Sequence, residues 1–133
     1  VKLLVRPAEP DDLEAVRRLV GRASLIPDGV LLNFTPPLLV MERDGEVVGA
    51  IQALLGKPVA VITFAVVAAE HRRKGYGIRL LQAMELLLRD YGLTSWVAFT
   101  GSADLDTAKM LIGLGAKATG NGEGWVKMLG DRQ

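Results

Sequence analysis

The sequence predicts an α/β fold of α+β type: a mixed, mostly antiparallel central sheet of about six to seven strands, flanked by helices on both faces, in one domain over residues 1–133. Three observations predict it. Segments 38–42, 47–55 and 59–68 read as consecutive strands joined by turn signals too short for a crossover, so they pair antiparallel. Segment 59–68 (VAVITFAVVA) is almost wholly apolar and rich in β-branched side chains, as in a central strand covered on both faces. A helical pattern then separates it from another strand at 94–100, which adds a parallel pair through a right-handed crossover.

In chain order, residues 2–6 (KLLVR) are a short strand stopped by Pro7. Asp11 and Glu14 have capping-box spacing, and Leu13, Val16, Leu19 and Val20 follow helical periodicity, giving a helix over 12–22. Residues 23–37 hold three prolines and a glycine and read as a loop with one helical turn at 29–33. Arg43-Asp44-Gly45-Glu46 turns 38–42 back into 47–55, since Asp-Gly tolerates the positive φ of a tight hairpin. Gly56-Lys57-Pro58 makes the next turn. After the central strand a helix covers 76–91, with Leu81, Met84, Leu88 and Tyr91 on one face and Gly92 as its stop. A helix over 103–114 turns Leu105, Ala108 and Ile112 inward and ends at Gly115. A glycine-rich turn at 120–124 leads to a last strand at 125–129.

Composition narrows the function classes. Half of the 133 residues are apolar and 23% are charged, as in a globular domain with a filled core. The net charge of +1 offers no field for nucleic acid or an anionic membrane, and neither is expected as a partner. The absence of cysteine excludes disulfides, a zinc–thiolate site and a cysteine nucleophile; the single histidine, His71, argues against a multi-histidine metal site. No apolar run approaches the roughly 18 residues of a membrane span, and the opening VKLLVRP lacks a signal peptide's apolar stretch, so the expected location is cytoplasmic.

Chemistry concentrates where the apolar strand gives way to Glu70-His71-Arg72-Arg73-Lys74-Gly75-Tyr76-Gly77. The first N–H groups of a helix have no partners within it, and with the helix dipole they attract anions. Gly75 and Gly77 let a bulky phosphate approach the backbone, while Arg72, Arg73, Lys74 and Arg79 add positive charge. A cationic helix start with no acid in its first turn is unfavourable alone and becomes favourable when an anion arrives.

These residues resemble the GNAT superfamily of acetyltransferases. Arg72-x-x-Gly75-x-Gly77 matches its R/Q-x-x-G-x-G/A signature; Val5-Arg6-Pro7-Ala8 with Asp11-Asp12-Leu13 is similar to its opening; and Leu114-Gly115-Ala116 stands where many members carry L-G-F. The resemblance covers nearly the whole chain. It implies the acyl-CoA N-acyltransferase fold, acetyl-CoA as acyl donor, no metal, and direct transfer to a primary amine of a small-molecule or peptide acceptor in a ternary complex. It implies further that backbone amides of Arg73 to Gly77 (Arg73, Lys74, Gly75, Tyr76, Gly77) bind the pyrophosphate, with Arg72 alongside. The edge at Ala65, Val66 and Val67 would pair with the pantetheine arm, and the Val67 N–H would face the thioester oxyanion. Asp104 occupies the place of an Asn that contacts the cofactor in many members.

Two departures concern proton transfer. Many members place a Tyr acid where this chain has Leu111, and residues 59–69 contain no acidic side chain where a base is common. Glu70 is the nearest candidate base; His71, Gln52, Ser102 and Asp104 are others. Tyr76, Tyr91, Trp96 and Trp125 read as packing residues, and Asp28, Asn33 and Phe34 lie in the loop that would border the acceptor. The departures motivate an alternative, a non-catalytic acyl-CoA-binding module. Monomer and homodimer both remain open.

Overall fold

The computed structural model describes residues 1–21, 37–99, 105–119 and 124–130. These form seven strands: β1 (Leu3–Pro7), β2 (Leu38–Arg43), β3 (Glu46–Leu55), β4 (Val59–Val67), β5 (Ser95–Phe99), β6 (Lys117–Ala118) and β7 (Gly124–Met128). Three α-helices accompany them: α1 (Leu13–Gly21), α2 (Tyr76–Asp90) and α3 (Leu105–Gly113). The strands lie in one sheet in the order β1-β2-β3-β4-β5-β7-β6. Every neighbouring pair is antiparallel except β4–β5, the pair joined through α2. The expected mixed sheet is therefore present.

Alternation along the strands sorts side chains onto two faces. On β2, Leu38 and Val40 meet Val16 and Val20 of α1, together with Ala50 and Phe64. Leu39 and Met41 point the other way, into a larger cluster with Ile51, Ile62 and Trp96, covered by Leu80, Leu81, Met84 and Leu88 of α2. Each fully buried aliphatic side chain contributes about 1.5–3 kcal/mol, so the four from α2 hold that helix firmly on the sheet.

Two paired clusters of charged side chains join the elements. Glu85 of α2 is buried; it accepts from Trp96 Nε1 at 2.8 Å and from Lys127 Nζ at 2.9 Å, joining α2 to β5 and β7. At the opposite edge, Arg6 of β1 donates to both carboxylate oxygens of Asp12 at 2.7 and 2.9 Å and to Glu42 of β2 at 3.2 Å. The Arg6 guanidinium, and next the Glu9 N–H, hold the Asp12 carboxyl below its ordinary value against the opposing effect of burial.

The structure departs from the sequence expectations in several places. The first helix opens with a 3₁₀ turn at Pro10–Asp12, and α1 proper begins at Leu13. Asp12, not Asp11, supplies the capping carboxylate, accepting from the Glu9 N–H at 2.7 Å. On α3, Ile112 is exposed and Leu111 is buried. Leu111 follows Ala108 by three residues, which keeps both on the inner side. Tyr91 follows α2 and is half exposed, because the helix ends at Asp90 and the chain turns away. The pair β6–β7 forms a short hairpin, Lys117↔Val126 and Ala118↔Trp125, too brief to show alternation in sequence. Of the loop expected at 23–37 only Pro37 is described; the rest, with the helical turn expected at 29–33, lies outside the described residues.

Candidate functional site

The site is the place where β4 and β5 part company. The two strands pair from Val59↔Ser95 to Ile62↔Ala98, and among the described residues the pairing ends there. At the same level β4 is irregular: Gln52 faces Phe64 and Ala53 faces Ile62, so Thr63 is an extra residue on β4. A bulge increases local twist and re-aims the strand beyond it. Thr63 holds the bulge by directing its hydroxyl at the main-chain and side-chain oxygens of Gln52, each at 3.2 Å. Beyond it β4 continues from Phe64 to Val67 with β3 on one side and, on the other, a cleft that no described strand fills.

The register decides which backbone groups face that cleft. Ala68 N–H donates to Val48 O at 2.8 Å, so Gly49 and Val67 are a pair that does not exchange hydrogen bonds. Val66 therefore turns its N–H and C=O to Ala50 of β3. Ala65 and Val67 turn theirs away from β3, into the cleft. Of the three residues expected to pair with an incoming arm, two have backbone groups directed for it and Val66 does not. The expectation that β4 is covered on both faces also needs correction at this end: Ala65 is exposed and Val66 and Val67 are half-buried.

After β4 a 3₁₀ turn at Ala69–His71 reverses the chain, with His71 N–H on Ala68 O at 2.9 Å. Glu70 stands exposed in that turn, three residues past Val67. His71 is half-buried, its ring stacked on Tyr76 with centroids 6.3 Å apart, and its Nδ1 is buried without a hydrogen-bond partner. Arg72, Arg73 and Lys74 are exposed. Arg73 takes φ +65° and Gly75 φ +79°. A non-glycine residue held at positive φ costs of order 1 kcal/mol, a kind of strain that gathers at ligand clamps.

Gly75 is the N-cap of α2, and no side chain caps the helix. The first intrahelical bond recorded at its start is Arg79 N–H to Gly75 O at 3.2 Å, so the N–H groups of Tyr76, Gly77 and Ile78 lack intrahelical acceptors. No acid stands in the first turn. Gly77 has a packing reason as well: a Cβ there would lie 3.4 Å from Met110 Sδ of α3. Tyr76 is a core residue, 7% exposed, whose hydroxyl accepts from Arg43 Nε at 3.2 Å and so ties the β2–β3 hairpin to the helix start. Arg72 reaches back instead of outward, its Nε donating to Val67 O at 3.3 Å.

Leu111 is buried, as are Trp96 and Trp125, which pack in the core. Asp104, Ser102, Asp28, Asn33 and Phe34 lie outside the described residues. Thr63 was not singled out as a site residue from sequence, although it is the one polar side chain in the run 59–69, and that break was the available signal. Among the described residues no cluster of histidine and carboxylate side chains could hold a metal ion, and no helix is long and apolar enough to cross a membrane.

Comparisons with known proteins agree with this fold. The model of the acetyltransferase (GNAT) family matches residues 6–114. No curated protein matches the sequence. Among solved structures, a Salmonella typhimurium protein with its cofactor acetyl-CoA superposes with TM-score 0.83 at 18% identity, covering 100% of this chain and 97% of that one. The paiA N-acetyltransferase of Thermoplasma acidophilum, in complex with coenzyme A, gives 0.81 at 13% identity, covering 96% and 99%. N-acetylglutamate synthase of Neisseria gonorrhoeae, complexed with coenzyme A and N-acetyl-glutamate, gives 0.79 at 18% identity; the match covers 98% of this chain and 36% of that longer protein.

Proposed function

Because the chain belongs to the acetyltransferase (GNAT) family, whose acyl donor is acetyl-CoA, we propose that it transfers the acetyl group of acetyl-CoA to a primary amine of a small molecule or peptide. The observation that carries the reading is the junction of a splayed β4 edge with an uncapped, cationic start of α2. The pyrophosphate sits on the amides from Arg73 to Ile78, with Lys74 and Arg79 nearby. The pantetheine arm lies along β4 as an added strand, its two amides meeting the cleft-facing groups of Val67 and Ala65.

The thiol is at the end of the arm remote from the pyrophosphate, so the thioester lies toward the bulge. The N–H of Ala65 is then better placed than that of Val67 to receive the developing oxyanion, and Val67 serves the arm. The amine nitrogen attacks the thioester carbon; the carbonyl π pair moves to oxygen; the tetrahedral intermediate collapses and expels CoA thiolate; the amine's proton leaves to water. Glu70, three residues beyond Val67 and on the pyrophosphate side, has no part in that step in this reading. A thiol of pKa about 8.5 leaves without a dedicated acid, which is compatible with a buried Leu111 where many relatives place a tyrosine. Much of the rate then comes from holding the two reactants in line. The protein acts in the cytoplasm in this reading.

The test is release of free CoA thiol across a panel of amines: polyamines, aminoglycosides, amino acids and N-terminal peptides. Acetyl-CoA should raise the melting temperature, and at least one acceptor should release thiol. A stabilised protein with no turnover on any amine would leave the non-catalytic acyl-CoA module as the reading. No stabilisation at all would defeat both.

A further inference from the structure

We propose that Arg72 is an exchange residue: in the free protein its guanidinium occupies the Val67 carbonyl that the pantetheine arm must use, and cofactor entry transfers it to the pyrophosphate. The inference deepens the acetyl-CoA reading and rests on it. Three observations meet here. Arg72 Nε donates to Val67 O at 3.3 Å. The register turns that carbonyl away from β3 and into the cleft, because Ala68 N–H is bonded to Val48 O and Gly49↔Val67 is a non-bonded pair. Beyond Ile62↔Ala98 no described strand covers the cleft-side edge of β4, so an incoming arm would find this carbonyl as one of its few acceptors.

The bond suits a temporary partner. At 3.3 Å it is at the long end for N–H···O, it joins a cation to a neutral acceptor, and it is open to water. A phosphate oxygen meets the same cation with a full opposite charge, and guanidinium presents its donors in a fork that fits phosphate. The 3₁₀ turn at Ala69–His71 keeps Arg72 between the two partners, five residues past Val67 and three before the Gly75 cap. When the pyrophosphate draws the side chain away, the freed carbonyl receives an arm N–H. Seating of the nucleotide end thereby opens the site for the thioester end, which favours whole acetyl-CoA over acyl fragments lacking the diphosphate.

The proposal makes predictions of opposite sign. In Arg72→Ala, S-acetylpantetheine, which lacks the pyrophosphate, should bind roughly two- to fivefold tighter than to the wild type, since its competitor for Val67 O is gone. Acetyl-CoA should bind the same variant roughly tenfold more weakly, having lost a charge-assisted partner. Both are read by titration calorimetry or ligand-observed NMR. Lys74→Ala should weaken acetyl-CoA and leave the fragment unchanged. Arg72→Met, which keeps the aliphatic stem without donors, should repeat the alanine pattern if alanine disturbs the turn. Wild-type binding of acetyl-CoA with fragment affinity unchanged or weakened in both Arg72 variants overturns the exchange and leaves the function standing. Failure of the wild type to bind acetyl-CoA overturns both.

Discussion

The helical turn at Pro10–Asp12 begins with its charges answered. Asp11 and Asp12 stand in the first turn, the Asp12 carboxylate accepts the Glu9 N–H at 2.7 Å, and Arg6 clasps the same carboxylate from β1. The start of α2 has none of this. Its cap is a glycine at φ +79° without a side-chain acceptor, its first turn holds no acid, and Arg72, Arg73, Lys74 and Arg79 surround it. Each start exposes N–H groups that have no acceptor within the helix. One start is completed by a side-chain carboxylate, and the other is not. On the proposed acetyl-CoA reading, that difference separates a structural helix start from a binding one more sharply than either the glycines or the cations do alone.

The largest expected effect comes from answering the second start from within. In Gly75→Glu a carboxylate stands where the diphosphate belongs. Among the described residues, none but its own neighbours in the chain comes within 4 Å of a Cβ built there, so the cost to the fold is mainly the positive φ, about 1 kcal/mol. Acetyl-CoA affinity should fall at least about a hundredfold by titration calorimetry, with circular dichroism unchanged. Undiminished binding would remove the assigned loop from the site.

Next comes the converse. Asp12→Ala strips the first start of its acceptor and should cost about 1–3 kcal/mol in denaturant unfolding, because Arg6 and the Glu9 N–H lose their shared partner. Acetyl-CoA affinity should hold within about twofold, since the pair stands at the β1 edge of the sheet and the cleft lies beside β4. A parallel loss of affinity would mean that the two helix starts are coupled.

The same residue sets an acid limit. The Asp12 carboxyl is held below its unfolded value of 3.8 chiefly by Arg6. A depressed folded value means that its contribution to stability is complete above the unfolded value and is lost as pH falls through the folded one. Unfolding free energy should therefore decline below about pH 4, and more steeply in the wild type than in Asp12→Asn. Identical slopes would assign the acid sensitivity to other carboxylates.

What could be read from sequence follows the range of the interaction concerned. The apolar run LLVM at 38–41, the Asp-Gly turn and the β-branched run at 59–68 are local, and they placed β2, β3 and β4 with their antiparallel order. The basic glycine segment is local too, and so the proposed anion site could be drawn from sequence. The bulge at Thr63 depends on pairing with Gln52, eleven residues away, and sequence showed only a polar interruption. The buried Glu85 knot joins residues 11 and 42 positions apart, and in sequence Glu85 is an ordinary helix glutamate. Arg72 was read correctly as a cation near the loop, but its acceptor depends on which way a strand carbonyl points, and that is settled only by register.

The smallest effect is the most discriminating, because it should change stability and affinity in opposite directions. Arg79 lies one turn into α2, exposed, in a helix whose first turn holds no acid. Arg79→Glu places a negative charge near the positive end of the helix dipole, which should stabilise the ligand-free protein by about 0.3–1 kcal/mol, seen as a raised melting temperature at low salt. The same charge repels the pyrophosphate, so acetyl-CoA should bind several-fold more weakly, and saturating cofactor should raise the melting temperature by less than in wild type. A start shaped only for structure would gain stability with no penalty in binding. If the substitution lowered both quantities, or left affinity intact, the cations around Gly75 would belong to the fold, and the contrast between the two helix starts would carry no functional meaning.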